Sequence, residues 1–235
     1  VLHPATIRDF LAHGTEEMTP RSVANLKRLL TRTSERLMPE YARRDLPGPG
    51  RIDPLAPYTD AEVAALRAWA YGQPTANRRV QAERLLCLGL GAGMFAAEIA
   101  AIVVADLRVD DLGVLITVSG ARARQIPVRV EWSEPLIRVI ESNDRTDHVF
   151  LPGRKRTRNL ISNFASAGSG EPGPNSYRMR STWIVGHLVN AVPVHTLMDA
   201  AGIESVQGLS KFVAHIPTAE VDAVRRALHG AREDR

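Results

Sequence analysis

The sequence has little of several things that would place a chain in a familiar class. Its 235 residues include one cysteine, Cys87. No disulfide can close within the chain and no cysteine-based zinc site can form, which fits a reducing cytoplasm. Aromatic residues make up only 5%. No apolar run approaches the ~20 residues needed to cross a bilayer. The most apolar stretch, Leu85 to Ala105, is interrupted by Gly89, Gly91, Gly93 and Glu98, so no membrane partner is expected. The opening Val1-Leu2-His3-Pro4 has neither the basic nor the apolar region of a signal peptide. It also lacks an initiator Met and reads as processed or trimmed. Lysine occurs only at Lys27, Lys155 and Lys211. His3, His13, His148, His187, His195, His215 and His229 are scattered. None has the acid-flanked spacing of a metal motif, so no metal, cofactor or small-molecule substrate is expected.

What is present is an ordinary globular balance, 44% hydrophobic and 24% charged with a net charge of +4. That length accommodates a medium domain and a small one. Residues 1–45 read as a small helical domain. Ile7, Phe10 and Leu11 share one face of a first helix, and Gly14-Thr15 interrupts it. Thr19-Pro20 is a cap followed by proline at the first helical position. Val23, Leu26, Leu29, Leu30, Thr33 and Leu37 then recur at helical spacing, with Arg21, Lys27, Arg28, Arg32 and Arg36 opposite. Residues 46–57 carry Pro47, Pro49, Pro54 and Pro57 with Gly48 and Gly50, which makes them a linker.

Residues 58–235 form the second expected domain, mainly α-helical with a small antiparallel three-stranded sheet. Thr59 and Glu62 make a capping box for a helix carrying Val63, Leu66, Trp69 and Ala70. A longer helix is expected over Asn77–Leu90 and a short one over Ala96–Val103. Strands are expected at Leu107–Asp110, Val114–Val118 and Arg124–Val130, joined by tight turns. Helices then resume over Glu134–Glu141, Arg158–Ala165, Arg180–Asn190, Val194–Ala201, Ser205–Ala214 and Thr218–His229. The cluster Gly89-Leu-Gly91-Ala-Gly93 is not a nucleotide loop, because helix rather than strand precedes it and no Gly-Lys-Ser/Thr follows. It reads as a tight turn between helices.

Arginine supplies most of the thirty basic side chains. Its planar fork suits phosphate. The cations cluster at Arg122 and Arg124, at Arg154-Lys155-Arg156 with Arg158, and at Arg178 with Arg180. A fourth set is Arg21, Lys27, Arg28 and Arg32. Phosphate recognition uses such cations together with hydroxyls, provided that the fold gathers them on one face.

Four further stretches, in order and spacing, extend this pattern. Leu88-Gly-Leu-Gly-Ala-Gly-Met-Phe-Ala-Ala-Glu-Ile99 followed by Ala105-Asp-Leu107 resembles the "TGLR-x-x-E-L … D-[IL]" segment of the tyrosine recombinases, the phage-integrase family. Gly120-Ala-Arg-Ala-Arg-Gln-Ile-Pro-Val128 resembles their "GKG-x-K-x-R-x-v-P" hairpin. Tyr177-Arg-Met-Arg180-Ser-Thr-Trp183 resembles their "H-x-x-R-H-T-F" box. Ala201-Gly-Ile203 through Phe212 is similar to their "L-G-H" and the tyrosine nine residues later. The resemblance spans about residues 57–213. The N-terminal hairpin is similar to a short core-binding domain.

The resemblance implies the family's catalytic-domain fold with a degenerate site. In that chemistry a tyrosine attacks a DNA phosphate, two arginines stabilise the phosphoryl oxygens, and a lysine and histidines move protons. Here Phe95 stands at the first arginine, Tyr177 and Ile203 at the histidines, and Phe212 at the nucleophile. Ala121 or Arg122 stands at the hairpin lysine, and Arg180 alone is retained. The expectation is a pseudo-recombinase, not an enzyme, that binds double-stranded DNA near the nucleoid as a transcriptional regulator or architectural factor. Arg122, Arg124, Arg154, Lys155, Arg156, Arg158, Arg178 and Arg180 would hold phosphates, and Arg21, Lys27, Arg28 and Arg32 the other side of the duplex. The alternatives are an active recombinase with a substituted nucleophile, or a protein-interaction module on the same fold. A homo-oligomer, through the segment Thr218–His229, is also compatible with it.

Overall fold

The computed structural model describes residues 4–15, 18–37, 56–168, 173–218 and 220–229. The chain divides into two compact units between Asp53 and Pro54. Residues 46–55 of the expected linker lie outside the described residues.

The N-terminal unit is a helical hairpin of α1 (Pro4–His13) and α2 (Pro20–Leu37). The Thr19 hydroxyl accepts the Ser22 amide, so the cap sits where the Thr-Pro pair placed it. Ile7 and Val23 are buried between the helices. Phe10, Leu29 and Leu37 are not, at 45%, 63% and 65% exposure. The apolar stripe on α2 is therefore wider than one short partner helix can cover.

The second unit begins with α3 (Asp60–Tyr71), whose capping box joins Thr59 and Glu62 in both directions. Next is α4 (Ala76–Leu86), which runs into a π-helical turn at Cys87–Gly91 instead of continuing to Leu90. Helix α5 is Ala96–Ala101. Strands β1 (Leu107–Asp110), β2 (Gly113–Val118) and β3 (Arg124–Pro127) form an antiparallel meander in sequence order. Leu107 pairs with Ile116 and Ile116 with Ile126, which stacks three apolar side chains on the buried face. Strand β3 stops at Pro127, short of the expected Val130, because Val130–Trp132 turns into a 3₁₀ helix.

Helices α6 (Glu134–Ser142), α7 (Leu160–Ser166), α8 (Ser176–Val189) and α9 (Val194–Ala201) follow. Helix α8 starts four residues before the expected Arg180 because the Asn175 side chain caps it, accepting the Tyr177 and Arg178 amides. The expected Ser205–Ala214 helix is a 3₁₀ turn, Val206–Leu209, followed by α10 (Ser210–Val213). The last helix is α11 (Val221–Leu228).

Helix α8 is the axis of this unit. Met179, Trp183 and Ile184 are buried in the core, with Met179 and Trp183 packed against the π-turn and against Gly93 just after it. The Trp183 indole N–H donates to the Gly91 carbonyl at 3.1 Å. The glycines of the turn allow this approach. A Cβ on Gly91 would lie 2.5 Å from Trp132 Cβ, and Gly93 has φ +60° with the Trp183 ring 2.5 Å from where its Cβ would be. Close packing, more than turn geometry, requires glycine at position 91. Burial pushes the Cys87 thiol up to about 12, so it stays protonated inside the core.

Arg178 fastens the start of the unit to α8. Its guanidinium donates to both Glu62 carboxylate oxygens at 2.8 and 2.9 Å and to the carbonyls of Ala56 and Pro57. It also lies 3.9 Å over the Tyr58 ring. The Thr59 amide and the Arg178 guanidinium hold the Glu62 carboxyl below its ordinary range.

Three outcomes are expected. Gly91→Ala should destabilise the second unit by about 1–3 kcal/mol in denaturant unfolding, the usual cost of overpacking. Leu112→Ala, at a 99% exposed position, should stay within about 0.5 kcal/mol. Glu62 contributes stability that is present above its unfolded pKa and lost as pH falls through its depressed folded pKa. Acid unfolding of Glu62→Gln should therefore depend less on pH below the ordinary glutamate range than that of the parent chain.

Candidate nucleic-acid interface

The expected phosphate-binding arginines separate into three groups. Arg122, Arg156, Arg158 and Arg180 line one cleft of about 450 Å³, together with Phe95, Thr157, Ser176 and Tyr177. The cleft is walled by the first turns of α5 and α8, the β2–β3 hairpin tip and the loop before α7. Arg154 and Lys155 point elsewhere, into a second groove beside Arg78 on α4. Arg124 and Arg178 are held by carboxylates.

Arg180 forms the floor of the first cleft and is only 6% exposed. Its guanidinium donates to the carbonyls of Gly93 and Ala201. Burial, and next the Arg124 guanidinium, lower its pKa to about 10, with Glu98 opposing them. It therefore remains cationic at neutral pH, and its hydrogen-bond partners are neutral. Arg156 is similar. It donates to the carbonyls of Arg154, Ala100, Phe150 and Leu151, and burial lowers its pKa. These bonds hold the turn in place, where Leu151 and Gly153 have φ +50° and +72°. Arg154, Lys155 and Arg158 stay exposed on that turn. So Arg156 builds the loop as well as adding charge to the cleft.

Phe95 sits between these charges. The Arg180 and Arg122 guanidinium carbons lie 3.8 and 4.8 Å from its ring centroid. Both contacts are favourable cation–π geometries. The Phe95 amide donates to Glu98 Oε2 at 2.9 Å, which fixes the first turn of α5. Tyr177 is 61% exposed at the cleft edge.

Arg124 and Arg178, both expected to hold phosphate, are hydrogen-bonded to carboxylates in this structure. Arg124 donates to Glu98 at 2.7 and 2.9 Å and to the Ala200 carbonyl at 2.9 Å. Its side chain is 5% exposed and that of Glu98 14%. Breaking such a buried pair by removing one partner typically costs about 3–5 kcal/mol, so a phosphate would compete poorly for it. Arg178 is engaged by Glu62, as described above. Sequence reasoning missed both carboxylates as partners. Glu98 stood within a quoted motif, but nothing in the spacing tied it to a residue 26 positions away.

Two of the positions aligned with catalytic residues lie away from the cleft lining. Phe212 on α10 is 3% exposed, in the core. Ile203 follows the left-handed Gly202 that ends α9, and its amide donates to the Met198 carbonyl. Of the N-terminal cations, Arg28 and Arg32 are exposed and Lys27 is half-buried. The Arg21 side chain is outside the described residues. Among the described residues no His, Cys, Asp and Glu cluster could hold a metal ion, and no helix is long and apolar enough to cross a membrane.

No family model matches the sequence, and no curated protein matches it. Solved structures do match the fold. The Tn1549 transposon integrase in complex with circular intermediate DNA aligns with 96% of this chain and 84% of its own, at 15% identity and a TM-score of 0.57. The XerA recombinase aligns over 100% and 84%, at 15% identity and a TM-score of 0.56. The catalytic domain of bacteriophage HP1 integrase aligns over 75% and 95%, at 12% identity and a TM-score of 0.51. With its helices and three-stranded antiparallel meander, this chain has the tyrosine-recombinase catalytic-domain fold.

Proposed function

We propose that this chain binds duplex DNA along the arginine-lined cleft and does not cut it. The observation that carries the binding is the sorting of cations. Arg122, Arg156, Arg158 and Arg180 converge on one cleft, and no carboxylate stands among the described residues that line it. The fold supports the same reading, since solved structures that share it include the Tn1549 integrase and the XerH recombinase in complex with DNA. Phosphate oxygens are the chemical match for converging guanidinium groups. Arg154, Lys155 and Arg78 in the neighbouring groove would extend the track, and Arg28 and Arg32 give the N-terminal unit its own cationic helix.

The absence of cutting rests on the residues aligned with the family's chemistry. Phe212 has no hydroxyl, and Phe95 offers a ring where the family has a second guanidinium. Loss of one comparable electrostatic contact costs on the order of 10²–10³ in rate, and loss of the nucleophile stops that mechanism. A non-cutting binder would serve as a transcriptional regulator, an architectural or accessory factor, or a controller of a mobile element. A second reading has one observation in its favour. Tyr177, exposed at the cleft edge, could act as a displaced nucleophile.

Mobility shifts on random and genomic duplexes separate these readings. Binding at low salt should fall steeply as salt rises. Arg122→Glu with Arg158→Glu should weaken it and lower the salt slope by roughly two, about 0.9 per lost phosphate contact. Failure to shift any duplex at low salt would sink the proposal. A nicked suicide substrate should trap no covalent adduct. An adduct that disappears in Tyr177→Phe would replace the non-cutting reading with the second one.

A further inference from the structure

The charge in the cleft exceeds what an internal DNA phosphate brings. Arg156 and Arg180 spend their hydrogen bonds on main-chain carbonyls, so neither charge is bonded to a carboxylate among the described residues. Arg122 and Arg158 add two more at the rim. The carboxylate that acts on Arg180, Glu98, is already chelated by Arg124. A phosphodiester offers one negative charge and two free oxygens. A phosphate monoester offers three oxygens and approaches two charges above its second pKa of about 6.

The shape favours the same ligand. Arg180 lies on the floor at 6% exposure. A phosphate with a nucleotide on one side only can enter end-on, whereas a continuous strand must bring both flanking sugars along. Phe95 matters to this arrangement because it lies under both Arg122 and Arg180. It adds no third positive charge between them, and its ring keeps the Arg122 guanidinium over the cleft. The hydroxyls of Ser176 and Thr157 can donate to a third oxygen. The amides of Tyr177 and Arg178 cannot, since Asn175 already accepts both.

We infer that the cleft is a phosphate-monoester site, which takes the phosphorylated terminus of a DNA strand or the phosphate of a free nucleotide in preference to an internal phosphodiester. This rests on the reading of the cleft as a phosphate site, and adds which phosphate it selects.

Fluorescence anisotropy with the full chain tests it. The probes are one labelled duplex in four forms: continuous, nicked with a 5′-phosphate, nicked with a 3′-phosphate, and nicked with hydroxyls only. A nucleoside monophosphate and its nucleoside serve as competitors. A phosphorylated nick should bind about tenfold tighter than the hydroxyl nick, the scale of one added charge-assisted contact. The gain should shrink between pH 7.5 and 5.5, as the monoester takes up a proton. Arg122→Gln and Arg158→Gln should weaken the continuous duplex and the hydroxyl nick alike, and should abolish the difference between the phosphorylated nick and the hydroxyl nick. If the nick gives no gain but the monophosphate competes and the nucleoside does not, the monoester site stands and its source is a free nucleotide. If neither the phosphorylated nick nor the monophosphate outperforms its unphosphorylated counterpart, the inference fails, even where continuous duplex is bound well. Failure to bind continuous duplex would instead count against DNA binding itself.

Discussion

The Glu98 carboxylate ties together the elements that build the cleft. It receives the Phe95 amide and so sets the first turn of α5. It also chelates Arg124, which reaches on to the Ala200 carbonyl and so joins β3 to the end of α9. Arg180 then bridges the carbonyls of Gly93 and Ala201 across the same junction. An ion pair this buried gains little net stability against a well-packed apolar alternative, and is costly to break from one side. Its value here is positional. With Arg124 neutralised by Glu98, Arg180 on the cleft floor and Arg122 at its rim both contact the Phe95 ring and have no carboxylate hydrogen-bonded to them among the described residues.

That division between paired and unpaired arginines explains why the cleft is cationic in a chain whose net charge is only +4. Arg124 and Arg178 spend their charges on Glu98 and Glu62 and act as fasteners. Arg156 is intermediate, since it pins its own loop through neutral carbonyls and still contributes its charge. The Phe95 ring lies against the guanidinium groups of both Arg122 and Arg180 and adds no charge between them.

Much of the fold was legible in the sequence, because its signals were local. The Thr59–Glu62 box, the Thr19-Pro20 start of α2, the three strands and the α9 boundaries all follow from residues within a few positions of one another. Misplaced boundaries had tertiary causes. The long helix after Thr75 passes into a π-turn where Gly91 meets Trp132, and β3 ends early where the chain bends into Val130–Trp132. The apolar faces of α1 and α2 were overestimated because Phe10, Leu29 and Leu37 have no partner helix wide enough to bury them. The site was half legible. Local motifs located Phe95, Arg122 and Arg180. Nothing local showed that Arg124 and Arg178 belong to carboxylates 26 and 116 residues away, or that Arg154 and Arg158 face different grooves.

The sorting of arginines by their partners is the central claim, and chemical modification reads it directly. Treatment with an arginine-selective dicarbonyl, with and without duplex DNA, followed by peptide mass spectrometry, reports each guanidinium separately. The account predicts that Arg122 and Arg158 react freely and are protected by DNA, while Arg124 and Arg178 react slowly and equally in both samples. Equal reactivity of Arg122 and Arg158 with and without bound duplex would contradict it.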